Sequence, residues 1–173
     1  DPFYGYEADA NMCAAFLEHH FVCQATPTTS LQTDQQLPPP LPPLANFIAY
    51  ILYRTRLEPC TMYAAMFFLQ RFKSQYPRSR GGSGQKLFLA AYMISTKVLH
   101  DNAYGNSSWY IAGQGIFTQS CINQMELQLC LHLDWKLCID PSELESFAVY
   151  LRDEFSPTDR GEQALVVDAE GLA

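Results

Sequence analysis

From Leu87 to Leu99 the chain reads Leu-Phe-Leu-Ala-Ala-Tyr-Met-Ile-Ser-Thr-Lys-Val-Leu, with one charge in thirteen residues. A helix over this stretch, about Gln85 to His100, is apolar nearly all round and has no clear polar face to give to water. It therefore belongs at the centre of a fold, with other elements around it. Ala90 and Ala91 let the backbones of those neighbours come close.

The flanking segments read as helices too. Leu44 to Thr55 carries Phe47, Ile48, Ile51 and Leu52 on one face. A second helix opens at Pro59, where proline suits the first turn, and runs to about Tyr76 with Met62, Ala65, Met66, Leu69 and Phe72 at the helical period. Arg78 to Gly84 is a glycine-rich connector; Gln85-Lys86-Leu87 follows it, so it does not match a phosphate-binding loop. Beyond the central helix, Asn102, Gly105 and Asn106 break the pattern. Ser107 or Ser108 is then expected to cap a short helix with Trp109, Ile111, Ala112 and Ile116. A further helix, from Thr118 or Ser120 to Leu133, lines up Ile122, Met125, Leu129 and Leu133. Asp140-Pro141-Ser142-Glu143 reads as an N-cap, a first-turn proline and a capping-box glutamate that open a last helix to about Phe155. Six helices with short connections and no convincing run of strands predict an all-α bundle.

The chain divides by composition into four parts. Residues 1–23 hold a short amphipathic helix over 9–23, on Met12, Ala15, Phe16, His19 and Cys23. Residues 24–43 form a Pro/Thr/Gln-rich linker, expected to be extended and to act as a spacer. Residues 44–156 are the folded body, and 157–173 read as an acidic flexible tail.

Charge narrows the partners. The net charge is −7, but residues 1–43 carry five acids and no Lys or Arg, while 44–156 hold ten basic and nine acidic residues. A near-neutral body with acidic flanks lacks the basic stripe that nucleic acid requires. Charged residues make up 17% of the chain, below the roughly 25% usual for soluble domains, which points to apolar surface kept for a protein partner. None of the six cysteines forms a C-x-x-C pair, and they read as reduced core thiols of an intracellular protein, nuclear or cytoplasmic. No secretory signal and no membrane-spanning run is read in the sequence. His19, His20, His100 and His132 show no metal-ligand spacing, and no catalytic motif or cofactor signature is present, so an enzyme is disfavoured.

Two stretches go beyond generic helix. One is Leu89-Ala90-Ala91-Tyr92-Met93-Ile94-Ser95-Thr96-Lys97-Val98-Leu99, closed by His100 to Asn106 and Trp109. The other is Ile122-Asn123-Gln124-Met125-Glu126-Leu127-Gln128-Leu129, followed by Leu133-Asp134-Trp135-Lys136-Leu137. Together they resemble the cyclin box, and in particular the fungal Pcl and phosphate-system cyclins. The resemblance covers roughly 44–155 and is clearest over 59–139.

The resemblance implies a single cyclin-box helical bundle that binds and switches on a cyclin-dependent protein kinase, of the phosphate-system type, with no cofactor of its own. It implies that Lys97 and Glu126 hydrogen-bond to kinase backbone beside the kinase C-helix. Spacing then puts Ile94, Val98 and Cys130 on the same patch, although a core position for all three fits the spacing equally well. Asp101, Tyr104, Asn106 and Trp109 are expected to build the turn and anchor the helix after it. The first body helix lacks the Met-Arg-Ala-Ile-Leu-like run of cell-cycle cyclins, and only one box fits, so the match to the Pcl type is the better one. A cyclin-fold adaptor that activates no kinase is the alternative, and the Lys97 and Glu126 pair is what separates the two.

Overall fold

The computed structural model describes residues 1–21, 40–80 and 82–156. Among them are seven helices and no strand: α1 (Glu7–His20), α2 (Leu44–Thr55), α3 (Pro59–Gln75), α4 (Gly84–Leu99), α5 (Asn106–Ala112), α6 (Gln119–His132) and α7 (Pro141–Phe155). Cys23, the linker as far as Pro39 and the acidic tail 157–173 lie outside the described residues.

The apolar helix is the hub. On α4, Phe88, Leu89, Ala91, Tyr92, Met93 and Ile94 are all buried, and α1, α2, α3 and α6 pack around it. Its polar residues are satisfied from within the bundle, as buried hydroxyls must be. The Ser95 hydroxyl donates to the carbonyl oxygens of Thr61 on α3 and Tyr92, each at 3.0 Å. Thr96 donates to the Tyr92 carbonyl at 2.7 Å. The Tyr92 phenol shares a hydrogen bond of 3.1 Å with Thr55 on α2. Burial pushes that phenol up to about 12, although the Thr55 bond pulls the other way.

Helix ends follow local chemistry. Ser83 caps α4 by accepting the Lys86 backbone N–H, Thr118 caps α6 by accepting that of Cys121, and Asp140 caps α7 by accepting that of Ser142. The fourth body helix departs from expectation: α5 begins at Asn106 after an N-cap at Gly105 that offers no side-chain bond, so neither Ser107 nor Ser108 is the cap. The Asn106 amide, at the first position of α5, is bonded to Lys97 of α4 and to Asn123 and Glu126 of α6.

The N-terminal helix belongs to the same core. Ala10, Met12, Cys13, Phe16 and Leu17 are buried, and α1 lies against α2, α3, α4 and α7. The Phe16 ring meets Phe147 and Phe155 of α7 edge-on, at 6.1 and 5.6 Å between centroids. Full burial raises the Cys13 thiol far above its ordinary range, helped by the charge of Asp9. The five described cysteines are all free thiols. No described helix is long and apolar enough to cross a membrane.

Candidate functional site

Three helices bring their polar residues to one point on the surface. α4 carries Lys97 in its last turn, α5 begins with Asn106, and α6 carries Asn123 and Glu126 one turn apart. The Lys97 Nζ donates to Glu126 Oε1 at 2.5 Å and to Asn106 Oδ1 at 2.8 Å. The Asn106 Nδ2 donates to Glu126 Oε2 at 2.9 Å and to Asn123 Oδ1 at 2.6 Å. Both carboxylate oxygens of Glu126 are thereby held, one by an ammonium and one by an amide.

The pair is open to solvent: the side chains of Lys97 and Glu126 are 36% and 19% exposed. An ammonium has three N–H donors and a carboxylate about four lone-pair positions. Two of the Lys97 donors are in use, so one is left for a partner's carbonyl, and Glu126 keeps lone pairs for a partner's N–H. The arrangement offers fixed, charge-assisted hydrogen bonds to another chain.

The apolar residues around it divide between surface and core. Val98 is exposed, whereas Ile94 and Cys130 are buried and offer almost no surface. Burial raises the Cys130 thiol, and the Glu126 charge raises it further. Spacing of three and four residues places all of these on the same side of their helices, but α4 is surrounded, and that side curves into the core within one turn.

Further exposed apolar surface lies on α6 and just beyond it. Leu127, Leu131 and Trp135 follow one another at four-residue intervals and are 51%, 56% and 58% exposed. Trp135 ends this stripe in a strained turn: Asp134 and Trp135 both have left-handed backbone, at φ 53° and 54°, which a residue as bulky as tryptophan rarely adopts. The turn is held by the Trp135 N–H on the Cys130 carbonyl and by the Arg71 guanidinium, which donates to the carbonyls of Lys136 and Cys138. None of the three was read from sequence as docking surface, although Leu127 and Trp135 lie in the stretches that carry the resemblance. The signal was present, because Ile122, Met125, Leu129 and Leu133 already give α6 the one apolar face its core contact needs.

The turn before α5 has a structural part. Trp109 is fully buried, its ring edge-on to Tyr92 at 5.7 Å and to the half-exposed Tyr104 at 5.9 Å. Asp101 is exposed at the surface of this turn. His100 ties the end of α4 to α3 through a 2.9 Å hydrogen bond with Thr61. Among the described residues no group of three or more His, Cys, Asp or Glu is placed to hold a metal ion.

The family model for the cyclin N-terminal domain matches residues 14–138. The chain belongs to the cyclin family. That match takes in the second half of α1 and all of α2 to α6, so the seven-helix bundle is a cyclin-box fold. Among curated proteins, this cyclin is 32% identical over 107 residues to PHO85 cyclin-1 of Saccharomyces cerevisiae, covering 60% of this chain and 38% of that one. It is 25% identical over 108 residues to PHO85 cyclin-2 of the same yeast, covering 61% and 35%. It is also 25% identical over 118 residues to Cyclin-U1-1 of Arabidopsis thaliana, covering 67% and 55%. The chain thus spans between about a third and just over half the length of these relatives. No solved structure matches it.

Proposed function

We propose that this cyclin is a regulatory subunit that docks on a cyclin-dependent protein kinase through the α4–α6 face, with Lys97 and Glu126 at the polar centre of the contact. The observation that carries the reading is the Lys97–Asn106–Glu126 cluster beside an exposed apolar stripe of Leu127, Leu131 and Trp135. The stripe supplies area: burying a leucine side chain contributes about 1.5–3 kcal/mol. The charged pair supplies register, by fixing where the partner's backbone N–H and carbonyl groups must fall.

The kinase side of the mechanism follows from linkage. A kinase is active when its C-helix glutamate pairs with its ATP-site lysine and its Mg²⁺-binding Asp is in place. A cyclin shifts that equilibrium only by binding the active arrangement more tightly than the inactive one. ATP and Mg²⁺ belong to the partner, and this chain contributes the surface. The likeness to proteins named PHO85 cyclins makes a kinase of the phosphate-system type the first partner to try.

The test is affinity and activity against a panel of purified cyclin-dependent kinases. Wild-type protein is expected to bind one of them and raise its activity. Lys97→Ala and Glu126→Ala are each expected to cost about 2–5 kcal/mol of binding, because each leaves the other charge unpaired in a desolvated interface. Unchanged affinity and activation in both variants would remove the pair from the interface. Binding without activation would leave a cyclin-fold adaptor.

A further inference from the structure

A second surface lies where the α3–α4 loop crosses the start of α4 and the end of α6. Two open depressions, of about 400 and about 260 Å³, meet there and share Phe72, Ser79 and His132 in their lining. The floor of the second is apolar, made by Phe72, Leu87, Met125 and Leu129. The rim is cationic. Arg78 lines one depression, Arg80 and Lys86 the other, and no Asp or Glu lines either.

These cations are not neutralised within the described part of the protein. The one ion pair among the described residues is Lys97–Glu126. Lys86 sits 5.8 Å from the Phe117 ring centroid rather than beside a carboxylate. The rim is also held in shape. The Lys73 ammonium donates to the Ser79 carbonyl at 3.0 Å, and Gln85 bonds both Ser83 and the Pro42 carbonyl, at 3.0 and 2.7 Å. Ser83 and Lys86, the N-cap and first turn of the sixteen-residue α4, line the second depression, so the positive end of that helix dipole adds to the three side chains.

We propose that this groove docks a phosphorylated serine or threonine peptide of a partner protein. The phosphate would lie among Arg78, Arg80 and Lys86, and a nearby apolar side chain of the peptide on the Phe72–Leu129 floor. A carboxylate offers two oxygens and one charge, enough for a single guanidinium fork. A phosphate carries about −1.5 to −2 charges on three acceptor oxygens, which matches two forks and an ammonium. Three cations on a near-neutral body with acidic flanks are too few for nucleic acid. The apolar floor calls for a side chain rather than a free anion. This inference concerns a surface separate from the Lys97–Glu126 cluster and does not depend on which kinase is bound.

The experiment is fluorescence anisotropy of the full chain with three pools of labelled peptides. Each pool has degenerate flanks and a fixed central residue: phosphothreonine, threonine or glutamate. The phosphothreonine pool is expected to bind, more weakly at 200 than at 50 mM salt because charge pairing is screened. Arg78→Gln/Arg80→Gln/Lys86→Gln is expected to weaken binding at least about tenfold, given that charge-assisted bonds are the stronger class. Backbone NMR signals of Gly82, Ser83 and Met125 should shift with the phosphothreonine pool and stay still with the threonine pool, a readout that needs no variant. Equal binding of the threonine or glutamate pool would overturn the proposal. So would full binding by the triple variant, or NMR shifts confined to other surfaces.

Discussion

Asn106 lies on neither of the two helices that carry the charged pair, yet it bonds both charges: its amide oxygen accepts from Lys97 and its amide nitrogen donates to Glu126. It is the residue that turns a surface ion pair into a fixed site. Because the pair is solvent-accessible, it contributes little to folding. Lys97→Ala should change the unfolding free energy by no more than about 1 kcal/mol in urea titrations, even where kinase affinity falls steeply. Trp109 is the opposite case. Its ring is fully buried, and Trp109→Ala should cost about 3–5 kcal/mol of stability through the cavity it leaves. Its indole N–H is buried without a hydrogen-bond partner, so Trp109→Phe loses no bond and should be much the milder of the two. A larger loss for Phe than for Ala would contradict that reading.

At the scale of elements, α1 and α7 meet along an aromatic seam. His20 sits in it, 4.6 Å from the Phe16 ring and 6.0 Å from that of Phe155, with its Nε2 buried and unpartnered. Burial, and then the charges of His19 and Lys73, hold the His20 pKa below the ordinary 6.5. The unfolded chain therefore takes up a proton at a pH where the folded chain does not. Stability is fully present above about pH 6.5 and is lost as pH falls from there toward the folded value. His20→Phe keeps a ring in the seam and removes the titration, so its thermal melting temperature should fall less between pH 7 and 5.5 than that of the wild type. Parallel falls would show that His20 is not what weakens the seam. Asp9, whose carboxyl burial raises, works in the opposite sense but is common to both proteins and drops out of the comparison. On α6 the same level of organisation explains function: one apolar face is spent on the core, and Leu127 and Leu131 form a second that nothing in the described chain covers.

For the molecule as a whole, the bundle was legible because punctuation and periodicity agree. Pro43, Pro59 and Gly84 mark the starts of α2, α3 and α4 to within a residue, Pro77 follows the end of α3 by two, and an all-round apolar α4 can only be central. Lys97 and Glu126 were legible as a pair through the family pattern. Two things were not. The packing of α1 on the body was hidden, because a composition break such as 24–43 says nothing about whether the segments on either side touch. The split between buried Ile94 and Cys130 and exposed Val98 was hidden too, because helical spacing gives a direction and not a depth. Docking on this face depends on which residues are exposed, and so does its most direct test. Leu131→Asp and Val149→Asp each put a carboxylate on an exposed apolar position, one on α6 and one on α7, and neither should unfold the bundle. Their affinities for the cognate kinase should separate, with Leu131→Asp weakened at least about tenfold by the charge it buries and Val149→Asp equal to wild type. Equal affinities for both variants and the wild type would contradict a kinase-docking face on α6.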